Sequence, residues 1–526
     1  MNEGRQNVAF IGDDGHTTTD FQRATTGGDG KFQDNSSYSF SYELQEDRKL
    51  PLSLTLSDET TATENEVKRD TWGNGLEFLM SCIAMSIGLG NVWRFPFTAY
   101  ENGGGVFLIP YIIVLFLVGK PFYYLEMIMG QFSSRSSVKM WSAVPGFRGV
   151  GWAQMFSMLA VGTYYCFLMS ITLYYLVASF QSSLPWSTCL EEWGNSCADS
   201  GSSYNITKRN STNMTSSAEL YFRDVLVVTT LDTFTSLIAG FTIFGILGNL
   251  AHELGTEDIS NVVRGGTGLA FVSYPDAIAK FNVLPQLFSV LFFLMLYVLG
   301  IGSAIALAGA IITIISDQFP NWRYIYIVTG TCTFGFCAGI IYCTPGGQFI
   351  LELVDYYAGS FIVFILATLE IIGIFWVYGL ENFLDDVEYM LKRRPSVYWR
   401  LCWTLVIPIL LAVILVYTII NLKPLTYSDI SYPDSAHVAG WTICTFGILQ
   451  VPFWMTYAII SKRNLSPIEM IKSAFKPSSD WGPKNSKELA SWNEFKETKR
   501  KIREKRESSI IKQFVYVILC WEDKLV

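Results

Sequence analysis

The stretch Ser81–Phe107, SCIAMSIGLGNVWRFPFTAYENGGGVF, constrains this chain more than any other. It starts as an apolar helix of membrane type, and Gly88 and Gly90 then interrupt it, with Asn91 and Arg94 close behind. A charge left unpaired at the bilayer centre costs about 2.5–3.5 kcal/mol on insertion scales, so polar side chains at that depth face a cavity or a partner. Broken helical backbone is tolerated there only where it lines a protected site, because the freed carbonyls and amides need something to bind. Carbonyls suit a small cation and amides suit a carboxylate. The segment therefore predicts a helix interrupted in mid-membrane that holds ions and an anionic group together. The plainer reading is a packing helix whose glycines allow close helix contact.

The rest of the chain agrees with a membrane setting. Half of its 526 residues are hydrophobic and only 16% are charged, with a mean hydropathy of +0.30, which excludes an ordinary soluble globule. Apolar stretches long enough to cross about 30 Å of hydrocarbon occur near 75–97, 104–130, 150–181, 227–250, 283–315, 324–343, 357–380, 403–422 and 439–460, nine in all. Residues 1–68 are polar, acidic and rich in Ser, Thr and Gly, and read as a disordered cytosolic tail without the apolar core of a signal peptide. The net charge of −8 lies largely in tails and loops and identifies no partner. The cysteines and histidines show no metal-ligand spacing, and no GxxxxGK[ST] loop occurs. Neither an enzyme nor a nucleic-acid partner is expected.

Charge and sequons orient the spans. Arg135, Lys139 and Arg148 mark the connection after the second stretch as cytosolic by the positive-inside bias, and Lys392, Arg393, Arg394 and Arg400 mark the loop before Leu401 in the same way. Residues 462–526 form a basic cytosolic tail, for which contact with anionic lipid competes with plain solvation. The polar loop 182–222 carries Cys189, Cys197 and sequons at Asn205, Asn210 and Asn213, which together predict an extracellular loop bearing sugars and a disulfide.

WRFPFTAYENGGGVF is similar to the signature of the neurotransmitter:sodium symporter family, the sodium-coupled carriers of amino acids, monoamines and osmolytes, and the likeness runs from about Arg69 to about Ser461. It implies an all-α polytopic membrane protein with an inverted-repeat sodium symporter fold, a plasma-membrane location and symport by alternating access. The match places the carbonyls of Ala84, Ser86 and Ile87 and the side chain of Asn91 at sodium positions, joined by Asp232, Leu299, Gly302 and Ser303. Ser86, Gly88, Leu89, Gly90, Val161, Tyr165, Ser303 and Leu307 fall at the substrate site. Where monoamine carriers have an Asp, Gly88 leaves room for a substrate carboxylate, which implies a neutral amino acid. Tyr165, whose hydroxyl would meet that carboxylate, is otherwise a packing aromatic like Tyr164. Tyr124 and Ser236 match chloride positions whose partners on the sixth family helix are missing, so chloride dependence stays open. Arg94 with Asp355 matches an extracellular gate, and Arg69, Trp72 and Asp317 match a cytosolic one. Asp232 and Gly88 together resemble most closely the insect nutrient amino acid transporters.

The resemblance also exposes a gap. Family members have twelve spanning helices, whereas Val227–Glu253 resembles the seventh and directly follows the loop behind the third. Residues 69–181 then hold helices one to three and 223–461 hold seven to twelve, with a seam near Tyr221–Val225. The fold is expected to be incomplete, with about nine spans. Loss of three spans inverts everything downstream or makes a helix fail insertion. The chain thus reads as the product of exon skipping or of an incomplete gene model, retained in the endoplasmic reticulum or acting on full-length partners.

Overall fold

Long runs of Leu, Ile, Val and Phe have one way to satisfy their backbone in lipid, which is to bond within a helix. The computed structural model describes residues 81–189, 197–198, 215–216 and 268–504, apart from Ile83, 85–87, Trp93, Asn282, Lys423 and 428–429. Among these, seven helices are long and apolar enough to cross a membrane: α2 (Gly104–Ser133), α3 (Pro145–Ala178), α5 (Pro285–Gln318), α6 (Tyr324–Cys343), α7 (Gly347–Leu391), α8 (Val397–Ile420) and α9 (Asp434–Ile460). They match seven of the nine expected stretches. Of the other two, 75–97 is described only in part and 227–250 lies outside the described residues. Shorter helices are α1 (Arg94–Glu101), the buried α4 (Leu269–Ala279), α10 (Pro467–Ala474) and α11 (Ser486–Glu504).

Side-chain contacts fix which helix ends lie together. The end of α3 meets the start of α5, where the Ser179 and Ser289 hydroxyls are 2.6 Å apart and the Gln286 amide donates to the Ser182 carbonyl at 2.8 Å. α5 then runs to the other end, where Asp317 accepts the Ser136 amide at 3.0 Å. That end also gathers the 380–400 region and the tail: Arg135 pairs with Asp480 at 2.7 Å, Arg394 with Glu388 at 2.6 Å and Lys499 with Glu388 at 2.7 Å. The basic loops of both halves therefore share one end, and the downstream half is not inverted relative to the upstream one. Of the two outcomes expected from a loss of three spans, an inverted downstream half or a helix that fails insertion, the described helices do not show the inverted one: α3 ends beside the start of α5.

α7 is interrupted at Gly379, whose φ of +100° only glycine adopts without strain. The apolar span before it gives way to an acidic extension carrying Glu381, Asp385, Asp386 and Glu388. The basic face of α11 docks on this extension through Lys496–Asp386 at 3.0 Å, Lys499–Glu388 and Arg503–Asp385. Trp492 adds an indole bond to Asp386 at 3.1 Å, and Trp481 one to the Tyr378 hydroxyl at 2.8 Å. Burial pushes the Asp480 carboxyl up, but the Ser478 hydroxyl and the Arg135 guanidinium more than offset this and hold it below the usual carboxylate range.

Glycines set the helix crossings. A Cβ on Gly149 would lie 2.4 Å from the Gln450 carbonyl and 2.5 Å from the Val451 Cα, so α3 and α9 touch backbone to backbone. Gly149→Val is expected to cost at least about 1–3 kcal/mol by overpacking and to lower the unfolding temperature of the detergent-solubilised protein. An unchanged temperature would mean that the two helices pack farther apart than this.

Candidate functional site

The helix break falls where the sequence predicts it. Ser81, Cys82 and Ala84 are helical, Gly88 is extended (φ −121°, ψ 173°), and a single tight turn covers Leu89–Asn91 before α1 begins at Arg94. The amides of Leu89 and Gly90 head that turn and have no carbonyl inside it to bond. Val92 closes it through the Leu89 carbonyl at 3.0 Å.

Two long helices face the break. On α5, Gly302 is pressed against Ala84: a Cβ there would stand 3.0 Å from both the Ala84 carbonyl oxygen and its Cβ. This brings together the Ala84 carbonyl, Gly302 and, one residue on, the buried Ser303. On α3, Tyr165 is buried, and Leu89, Val161, Tyr165, Leu299 and Leu307 belong to one apolar cluster. α4 closes this cluster from the α3–α5 junction. Its Tyr274 hydroxyl donates to the Val92 carbonyl at 3.2 Å, and Phe271 accepts from the Tyr175 hydroxyl at 3.0 Å.

Above the break, the Arg94 guanidinium pairs with Asp355, the ninth residue of α7. Arg94 is half exposed, whereas Asp355 is buried and also accepts the Tyr164 hydroxyl at 2.7 Å. A Cβ on Gly359 would meet Asp355 at 3.2 Å and Val161 at 3.3 Å, which places the pair directly against the apolar cluster. The arrangement can hold a small occupant between an apolar wall and polar backbone, under an ion pair with one solvated partner.

The other expected residues are placed less completely. Asp317 is occupied by the Ser136 amide, and its expected companions Arg69 and Trp72 lie outside the described residues. So do Ser86, Ile87, Asp232, Ser236 and the sequons at Asn205, Asn210 and Asn213. The ring of Tyr124 stacks on Trp403 and lies tilted against Trp399, with centroids 5.8 and 4.6 Å away. Cys189 is disulfide-bonded, and Cys197–Ala198 pair with Thr215–Ser216 as strands β1 and β2. Sequence reasoning missed the contact of Tyr164 with Asp355. Val161, Tyr164, Tyr165 and Leu168 share the i, i+3, i+4, i+7 stripe of α3, but a stripe cannot tell a packing hydroxyl from a bonding one. It also missed Glu370, almost fully buried on α7, where the Gln154 amide donates to it at 2.7 Å.

Comparison with known proteins bears on the assignment. The family model described as "Sodium:neurotransmitter symporter family" matches residues 69–226 and 216–462, two matches that overlap at 216–226. The sodium-dependent nutrient amino acid transporter 1 of Drosophila persimilis is 42% identical over 594 aligned positions, covering 86% of this chain and 91% of that protein. The proteins of the same name from Drosophila melanogaster and Drosophila willistoni are 42% and 41% identical, over 84% and 86% of this chain and 92% and 96% of their own. The 594 positions exceed the chain's own 526 residues; since 86% of 526 is about 450, about 140 positions of the Drosophila persimilis protein face no residue of this chain. An extended residue at Gly88, a glycine of α5 against Ala84 and an ion pair above them thus accompany a match over most of the sequence: the chain is an all-α, multi-pass membrane protein that belongs to the sodium:neurotransmitter symporter family.

Proposed function

We propose that this protein is built for sodium-coupled symport of neutral amino acids across the plasma membrane. The contact of Gly302 with the Ala84 carbonyl near the helix break carries the reading, because it brings a neutral backbone oxygen against the part of α5 that carries Ser303. In this scheme Ala84, Ser86, Ile87, Asn91, Asp232, Leu299, Gly302 and Ser303 hold sodium. The amides of Leu89 and Gly90, with Tyr165, take the substrate carboxylate beside Gly88, while Val161 and Leu307 face its side chain. Arg94 and Asp355 form the outer gate. A partly exposed pair contributes little net stability, about 0–1 kcal/mol, and so opens readily. One sodium ion moving down about 100 mV releases about 2.3 kcal/mol, enough to drive uphill uptake without a nucleotide. The basic end, with Arg135, Lys139, Arg148 and the tail, is then cytosolic.

A second reading applies to the chain as it stands: a form that lacks helices four to six and does not transport alone. It is supported by the unmatched positions of the relative and by two family matches that both claim residues 216–226. About 140 positions accommodate three spans of about 20 residues with their connections. The two readings separate in a completed form, in which the Drosophila persimilis segment is inserted near residue 221. This form is expected to take up neutral amino acids and to lose that uptake when choline replaces sodium. Uptake that persists in choline would sink the symport assignment.

The sidedness has its own test. Replacing Asn205, Asn210 and Asn213 with Gln together is expected to abolish the glycosidase-sensitive mass shift of the expressed protein. A shift that survives in the triple variant would place loop 182–222 on the wrong side.

A further inference from the structure

The tail has two basic segments, and they differ in what they face. Of the six cations of α11, Lys496, Lys499 and Arg503 pair with carboxylates of the α7 extension and Arg500 with Glu497 of α11 itself. Lys462, Arg463, Lys472 and Lys476, around α10, are exposed and have no carboxylate partner among the described residues. Glu469, the one acid within this segment, is committed to capping α10, where it accepts the Ser466 hydroxyl at 2.8 Å. Beside these cations stand Leu465, Ile468 and Ile471, which are 44%, 67% and 50% exposed at i, i+3, i+6 spacing, so one side of the segment is apolar.

Its position decides what meets that side. The opposite side of α10 is anchored to the start of α3: a Cβ on Gly146 would lie 3.0 Å from the Phe475 ring and 3.2 Å from the Ala474 carbonyl, and Ser478 donates its amide to Ser142 at 2.8 Å. Six residues beyond Gly146 along α3 stands Trp152, stacked on Trp454 with centroids 5.2 Å apart, the kind of aromatic pair that collects at membrane interfaces. On α9, which ends five residues before Leu465, Phe453, Tyr457 and Ile460 are exposed as well.

We propose that Lys462–Lys476 is an interfacial docking element: Leu465, Ile468 and Ile471 enter the headgroup–acyl boundary of the leaflet that α9 crosses, and Lys462, Arg463, Lys472 and Lys476 bind anionic phospholipid headgroups there. Apolar insertion together with charge attraction is the usual basis of such binding. The leaflet at the basic end is the anionic one under the positive-inside bias. The surface does not depend on transport, because it uses no residue of the symport site.

The test uses the full chain in lipid nanodiscs, with a fluorescent amino acid placed at position 471 and, in a second preparation, at position 488 on α11. The label at 471 is expected to be quenched by lipids carrying a nitroxide near the headgroup and shielded from aqueous iodide, with the reverse at 488. Adding phosphatidylserine to phosphatidylcholine should deepen the protection at 471. Replacing Lys462, Arg463, Lys472 and Lys476 with Gln should remove that dependence, since each cation near an anionic surface shifts the docked fraction about fivefold. Lys499→Gln, on the internally paired segment, should leave it intact. Iodide access at 471 equal to that at 488, or protection indifferent to phosphatidylserine and to the four Gln substitutions, would overturn the proposal. So would shielding at 471 that requires a second protein.

Discussion

Expressed alone in membranes free of other amino acid carriers, the 526-residue chain is expected to show no sodium-dependent amino acid uptake and to remain inside the cell. α3 ends beside the start of α5, with Ser179 against Ser289. By hydropathy the connection between them holds one stretch expected to span, 227–250, and a single crossing could not return the chain to the same side. In the twelve-helix fold that connection holds four crossings, an even number. Removing three leaves a conflict between the native α3–α5 contact and the insertion of the remaining span. Either outcome exposes polar backbone or side chains to lipid, at several kcal/mol for each unsatisfied group. On the proposed reading, the inverted repeat would also lose the helix that faces the break at Gly88. The measurement is saturable uptake with and without sodium, beside surface biotinylation. The completed form should recover both, by at least about a hundredfold in uptake if the mid-membrane site is re-formed. Robust sodium-driven uptake by the short chain would show that its helices close a site without the missing segment.

Much of this was legible in the sequence, and the limits have physical causes. The break at Gly88 could be read because glycine, asparagine and arginine in an apolar run are costly unless they serve a site. The Arg94–Asp355 pair could be read only through the family resemblance, since 261 residues separate the partners and charge pairing over that distance leaves no local pattern. Periodicity gave the stripe on α3 but not the bond from Tyr164 to Asp355, which depends on where α7 starts. Crossings counted from hydropathy set the sidedness of the second half against its basic loops, and the sequence left inversion and a failed insertion as the two alternatives. Hydropathy reports that a segment is apolar enough to span, and contacts between helix ends decide whether it does. The basic tail looked uniform in composition, yet the acidic extension after Gly379 pairs with three cations of α11 and leaves those of α10 outward. Composition is blind to such a division because it arises from packing.

In the completed form, Gly88→Asp is expected to reduce amino acid uptake by at least about a hundredfold, while Gly88→Ala reduces it far less. The backbone at Gly88 has φ −121° and ψ 173°, which any residue adopts. Glycine is therefore not needed there for its conformation, and an aspartate can be accommodated without strain. What it changes is charge and space beside the amides of Leu89 and Gly90. Two carboxylates about 4 Å apart repel by about 4 kcal/mol at an effective dielectric of 20, close to a thousandfold in an equilibrium constant. Part of this is relieved if the new Asp takes a proton, because a like charge raises its pKa. Some uptake should accordingly return at acidic pH in Gly88→Asp and not in the parent. Surface expression of both variants, compared by biotinylation, separates this effect from a folding failure. If Gly88→Asp reaches the surface and transports neutral amino acids at the parental rate, the substrate carboxylate does not sit at the helix break and the site assigned here is wrong.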